Sequence, residues 1–301
     1  LSKKAKSSGK GRGSRREDNL FAWRGVSVNL PREWSPGMIQ DKRKSGYVRI
    51  EDRESVRMEL KWNVMQAGFS TSVDKTVEEA TRIASKAGED IKVKRDLRWN
   101  IPREMGGEFF SIGGDWNAYY LLATRGDLGV YLRVMGKPGE DIAETAREVL
   151  ESLRVSAGAR TRWAVFGLDT HLPADYEVEK HSLVTGHISM RFRNGVNVLV
   201  LDRYSLADIA LGDKTLERWL TVKHYKMLDN YRTESETTRT KGHEAARISG
   251  TKKLRLSMLR KPKFIELSGW VCDKLNRMFV ATLEHNGDND MPEIIKGIRC
   301  H

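Results

Sequence analysis

Two cysteines and seven histidines are the residues of this 301-residue chain with the richest chemistry, and all nine lie beyond residue 170. Zinc takes thiolate and imidazole ligands tetrahedrally. Cys272, Cys300 and His301, with His243 or His285 as a fourth ligand, therefore make a candidate metal set. The spacing lacks a Cys-x-x-Cys knuckle, and Cys272 also reads as a small buried hydrophobe on a strand. Neither a metal nor another cofactor is the leading expectation. A Cys272–Cys300 disulfide is a further alternative. Cys272 with His243 could form a nucleophile–base pair of a hydrolase, but no nucleophile elbow or papain-like signature surrounds it. The glycines of Gly9-Lys10-Gly11-Arg12-Gly13 precede neither strand nor helix, so they do not read as a phosphate loop. No catalytic residue is assigned, and the expectation is a protein that is not an enzyme.

The second kind of chemistry is electrostatic. Lys3, Lys4, Lys6, Lys10, Arg12, Arg15 and Arg16 stand among Gly and Ser with no acid before residue 17, and they supply more than half of the net charge of +12. A segment so polar cannot bury enough apolar surface to offset its ordering entropy, so residues 1–19 read as a disordered basic tail. Each cation engaged on a polyanion releases counterions. Arg260, Lys261 and Lys263 read as the tip of a hairpin, and Lys42-Arg43-Lys44 as a comparable loop. Tail and loops together suggest nucleic acid or a ribonucleoprotein as partner. No run of about 18 apolar residues is present to span a bilayer, and residues 1–19 hold no apolar run of a secretory signal. With two thiols in so long a chain, the expected compartment is reducing, that is, cytoplasmic.

An internal repeat positions these groups. Trp23-x-Gly25, Leu30-Pro31 and Trp34 have counterparts at Trp163, Gly167, Leu172-Pro173 and Tyr176, the last four pairs at a constant offset of 142. Gly46–Ile50 and Val56–Trp62 align with Gly186–Met190 and Val196–Asp202, and Gly106-Gly-Glu108 with Gly242-His-Glu244. The order of these blocks implies a duplication, with repeats over 20–156 and 162–301 joined by a short polar linker. Each repeat opens on an alternating strand, Ala22–Leu30 in the first, that Pro31 stops. A hairpin follows, then a helix in which Val77, Ala80 and Ile83 form one apolar stripe, further strands with Gly-rich turns, and a last helix capped by Asp141. In the second repeat one helix is expected from Asp213 to about Leu228, and a short one from Met291. The fold class expected is α+β, each repeat an antiparallel sheet flanked by helices.

A strand ending in Leu-Pro-x-x-Trp, then hairpin, helix, antiparallel strands and a C-terminal helix resembles the Mog/PsbP-like fold. Gly25, Leu30-Pro31, Trp34 and the strand Gly242-His-Glu-Ala-Ala-Arg247 carry the resemblance. Members of that fold are mostly non-catalytic: photosystem extrinsic subunits, a partner of a small nuclear GTPase, secretion chaperones. The resemblance implies a binding scaffold and places no catalytic residue on this chain. The leading expectation is a non-enzymatic scaffold that docks on nucleic acid through its tail and basic loops. The alternative is a scaffold or chaperone that binds protein alone, in a groove on one sheet face.

Overall fold

Antiparallel strands dominate the chain, and the pairings among them settle its architecture. A computed structural model of the protein describes residues 19–65, 72–87, 90–114, 117–253, 262–287 and 290–300. The tail at 1–18, Arg260, Lys261 and His301 lie outside the described residues. The chain divides into two units, one formed by residues 28–153 with 19 and 20, the other by 21–27 with 154–301.

The first unit holds β3 (Ser35–Lys42), β4 (Ser45–Glu51), β5 (Val56–Val64), α1 (Val73–Ala87), β6 (Lys92–Lys94), β7 (Gly106–Gly113), β8 (Asn117–Arg125), β9 (Leu128–Met135) and α2 (Ala143–Glu151). Its seven strands form one sheet in the order β3-β4-β5-β9-β8-β7-β6. Helix α1 covers one face, with Val73 buried against Phe110, Ile112, Tyr120 and Leu122. The expected α1 stripe is narrower than its spacing suggests, because Ile83 is 58% exposed. Asp141 accepts from the Ala143 amide at 3.1 Å and so satisfies one of the donors left unpaired at the start of α2.

The second unit holds β13 (Glu177–Val184), β14 (His187–Asn194), β15 (Asn197–Ser205), α3 (Ala207–Leu211), α4 (Leu216–Lys223), α5 (Tyr225–Leu228), β16 (Tyr231–Thr240), β17 (His243–Lys252), β18 (Phe264–Cys272), β19 (Arg277–His285) and α6 (Met291–Gly297). Its sheet runs β13-β14-β15-β19-β18-β17-β16, the same order as in the first unit. Two short helices, α4 and α5, replace the single one expected from Asp213, and α3 precedes them. Thr215 caps α4 by accepting from the Arg218 amide, and Leu216, Trp219, Leu220 and Leu228 cover Ile248, Ile265, Leu267 and Val280 on one face.

A third sheet is what the sequence does not announce. It contains β1 (Asn19–Trp23), β2 (Val26–Leu30), β10 (Arg154–Val155), β11 (Arg160–Val165) and β12 (Leu168–Pro173), in the order β10-β2-β1-β11-β12. The segment read as one strand, Ala22–Leu30, is a hairpin. Arg24 (φ 47°) and Gly25 (φ 81°) form a two-residue turn with both residues left-handed, and Phe166 and Gly167 (φ 47° and 75°) repeat it. A Cβ on Gly25 would also meet the Ser156 carbonyl oxygen at 2.8 Å. The two hairpins join through Ala22 and Ala164. Trp23 and Trp163 meet there edge to face at 5.4 Å, and Trp163 continues onto Phe192 of the large sheet at 5.0 Å.

These observations correct the expected fold class. Strands take 54% of the described residues and helices 19%, in three sheets, so the fold is sheet-rich rather than an α+β pair of single sheets flanked by helices. Among the strands not expected, β3, β13 and β16 lack alternating apolar residues because they are sheet edges with few buried positions. An edge strand pairs on one side only and does not need a hydrophobic face. Among the described residues no helix is long and apolar enough to cross a membrane.

Candidate functional site

One face of the second unit's sheet gathers the polar chemistry of the molecule. Successive side chains of a strand point to opposite faces, and directly paired residues share a face. The face opposite α3–α5 therefore carries, row by row, Arg232, Thr251, Phe264 and His285, then Glu234, Ser249 and Glu266, then Arg247 and Ser268, then Ala245, Trp270 and Phe279, and last Cys272 beside Arg277. Trp270 stacks on Phe279 at 5.6 Å and separates two polar ends.

At the first end lies a groove of about 850 Å³, lined by Arg232, Glu234, Lys252, Lys263, Phe264 and Glu266 among others. Phe264 is 36% exposed, large for an aromatic ring, and its ring centroid lies 5.5 Å from that of the buried His285, the planes tilted by 34°. Glu266 is buried, and Arg247 neutralises it through a 2.8 Å hydrogen bond. Lys252 extends over the Tyr231 ring with its ammonium 5.5 Å from the centroid. Tyr231 in turn donates to Glu284 at 2.7 Å, and burial with that carboxylate raises its pKa well above the ordinary phenol range. Arg232 thus shares the face of the half-exposed Phe264 ring, Lys263 stands at the groove rim, and Lys252 turns to Tyr231 on the other face.

At the second end three elements converge. Lys241 (φ 53°) and Gly242 (φ 82°) make the tight turn that sets His243 first on β17. Cys272 is the last residue of β18. Cys300 follows α6, where the Arg299 amide donates to the Asp169 carbonyl of β12 at 2.7 Å and fixes the chain's path. The Cys300 Sγ lies 3.5 Å from His243 Nε2, and one ligand atom from each of His243, Cys272 and Cys300 falls within 4.8 Å of the others. Cys272 is wholly buried and Cys300 nearly so, with no disulfide between them. Burial, and next to it the Cys272 thiol, pushes the Cys300 thiol pKa up. Arg277 pairs across the strands with Cys272, and beside it Arg203 is buried, its guanidinium donating to Ser205 Oγ at 2.8 Å. Burial and the neighbouring Arg277 charge lower the Arg203 pKa to about 10.

The candidate residues thus separate. Cys272, Cys300 and His243 come together, while His285 lies at the other end of the face, in the groove. A hydrolase built on Cys272 would need that sulfur to meet a substrate, and Cys272 is 0% exposed. Of the basic residues assigned to nucleic acid, Lys263 is described and stands exposed on the groove rim; Lys3, Lys4, Lys6, Lys10, Arg12, Arg15, Arg16, Arg260 and Lys261 lie outside the described residues. Sequence reading missed Arg232, Phe264 and Glu266, which come from separate strands and share no local motif. The clue was the apolar Phe264-Ile265 directly after a basic run.

No protein-family model and no curated protein matches the sequence. Among solved structures, the chain is similar to the immunity protein TplEi of the type VI secretion system from Pseudomonas aeruginosa, complexed with an "L" peptide, at 10% identity and a TM-score of 0.34 over 94% of this chain and 98% of that one. The apo form of the same protein gives 9% identity and a TM-score of 0.34 over 94% and 96%. A protein of Bacteroides thetaiotaomicron gives 10% and 0.26 over 77% and 86%. Likeness at these scores carries no inference about what this chain does.

Proposed function

We propose that the chain is a protein-binding scaffold whose second unit takes an acidic, partly apolar peptide segment of a partner protein in the groove at Phe264. The observation that carries this reading is the half-exposed Phe264 ring in a groove lined by the cations Arg232 and Lys263. A carboxylate on the peptide meets the cations, and a neighbouring apolar side chain covers Phe264. Interfaces concentrate energy in such aromatic anchors, while charges at the rim mainly steer encounter and select partners. The exposed Phe264 ring favours a partner that carries an apolar side chain beside its carboxylate over a bare polyphosphate.

The probe is an end-blocked peptide of alternating Glu and Leu, titrated by fluorescence anisotropy against the full chain. Saturable binding that falls with salt, and drops about tenfold in Phe264→Ala and in Lys263→Glu, supports the reading, since one anchor is worth at least ~1.4 kcal/mol. Equal binding of a Lys/Leu peptide, or no loss in Phe264→Ala, overturns it. Single-stranded RNA that displaces the peptide with a steep salt dependence overturns it in favour of nucleic acid.

A further inference from the structure

We propose that Cys272, Cys300 and His243 form a metal centre for a thiophilic cation of the zinc type, these three being its ligands among the described residues. Both cysteines of the chain, 28 positions apart, meet one histidine from a third element, and the three ligand atoms lie within 4.8 Å of one another. Tetrahedral zinc with Zn–S near 2.3 Å and Zn–N near 2.0 Å separates sulfur from nitrogen by roughly 3.5 Å and sulfur from sulfur by about 3.8 Å. The Cys300 Sγ to His243 Nε2 distance is already 3.5 Å.

Packing does not explain the trio. The first unit, residues 28–153, builds a sheet of the same strand order with neither cysteine nor histidine. Its β8–β9 hairpin closes on the pair Arg125 and Leu128 where β18–β19 closes on Cys272 and Arg277. Val155, which extends β2 as the segment at Arg299 extends β12, is an ordinary aliphatic residue where the second unit has Cys300. Soft thiolate donors with one imidazole select zinc or copper(I) over magnesium or calcium. Binding is balanced by proton release: one divalent ion enters, the Cys272 and Cys300 thiols lose one proton each, and the imidazole binds as the neutral ring. Affinity therefore rises by up to about a hundredfold per pH unit while both thiols remain protonated.

The test uses the full chain, reduced and freed of metal. Cobalt(II) is titrated by absorbance, and zinc by competition with a chromophoric chelator. The expected result is one equivalent of metal, a thiolate-to-cobalt charge-transfer band and intense visible bands of a tetrahedral ion. Cys272→Ser and Cys300→Val each lose about a hundredfold or more in affinity, and His243→Gln about tenfold. Cys300→Val installs the residue of the corresponding position in the chain's first half, so it keeps the fold, which circular dichroism without metal verifies. No stoichiometric uptake with both thiols titrating as reduced overturns the centre. So does a cobalt spectrum without charge transfer, or unchanged affinity in Cys300→Val. Peptide binding at Phe264 lies at the opposite end of the sheet face, so failure of either experiment leaves the other reading standing.

Discussion

The corners at Trp34 and Tyr176 occupy matching places in the two units and are built from different physics. Both follow a Leu-Pro pair, both turn the chain by an amide donating to the proline carbonyl, at 3.0 and 3.1 Å, and both precede an irregularity in the next strand pair. In the first unit the corner is ionic. Arg57, 4% exposed, lies over the Trp34 ring at 5.3 Å and donates to both carboxylate oxygens of Glu140 at 2.7 Å. Asp52 and Lys137 extend the network. In the second unit the corner carries one neutral donor, Tyr176, whose hydroxyl donates to Asp290 at 3.2 Å. One topology therefore closes its corner either with a desolvated ion pair or with a phenol, and the two choices fail in different ways. Removing one partner of a buried pair strands a charge, whereas removing a hydroxyl forfeits one modest hydrogen bond.

The comparison can be sharpened by substitution and by pH. The largest loss is expected away from both corners, in the shared tryptophan pair: Trp163→Ala should cost about 3–5 kcal/mol in urea unfolding, because the ring is buried between Trp23 and Phe192. A loss below about 1 kcal/mol would mean that the third sheet does not organise the second unit. Glu140→Gln comes next, at about 3 kcal/mol, the low end for a stranded buried charge because Glu140 is itself a third exposed and Asp52 remains near. Tyr176→Phe should cost only about 1 kcal/mol. If the two corner variants cost the same, the contrast between ionic and neutral corners is wrong.

Acid separates the units more gently. The Arg57 guanidinium holds the Glu140 carboxyl below its ordinary range. For Asp52, burial pulls upward but is outweighed by the Glu54 and Ser55 amides and Lys137, which hold it at about 2. A carboxyl depressed in the folded state stabilises fully above its unfolded pKa and loses that contribution as pH falls through the folded value. The first unit's share from this corner is thus complete above about pH 4.5 and disappears toward pH 2. Amide exchange read by mass spectrometry should show peptides around Arg57 and Glu140 loosening over that window. Peptides around Tyr176 should change less, and the reverse order would break the comparison.

Particular residues show where the sequence could be read and where it could not. The Leu-Pro stops, the alternation of β2 and β12 and the burial of Trp23, Trp34, Trp163 and Tyr176 follow from local pattern, and the structure has them in place. Register does not follow so simply. Aligning Gly46 with Gly186 and Trp62 with Asp202 looks natural by residue type, yet Trp62 stands opposite Gly46 while Ser205 donates its amide to Gly186. The slip is three residues, and an odd slip turns every side chain to the other face. Trp62 and Asp202 therefore do opposite jobs. The groove residues were equally hidden, since Arg232, Phe264 and Glu266 belong to different strands.

By itself the sequence determined the alternation of the core strands, the places where glycine and proline turn or stop the chain, and the restriction of thiols and imidazoles to the second half. These are local properties, set by backbone sterics and by the alternation of apolar residues. Only the tertiary structure decided that the opening hairpins form a third sheet, that Phe264 and Arg232 line one groove from strands two apart, and that Cys272 and Cys300 meet His243. Those outcomes depend on which distant segments pair and in what register, and that choice is made by the burial of whole faces rather than by any short run of residues.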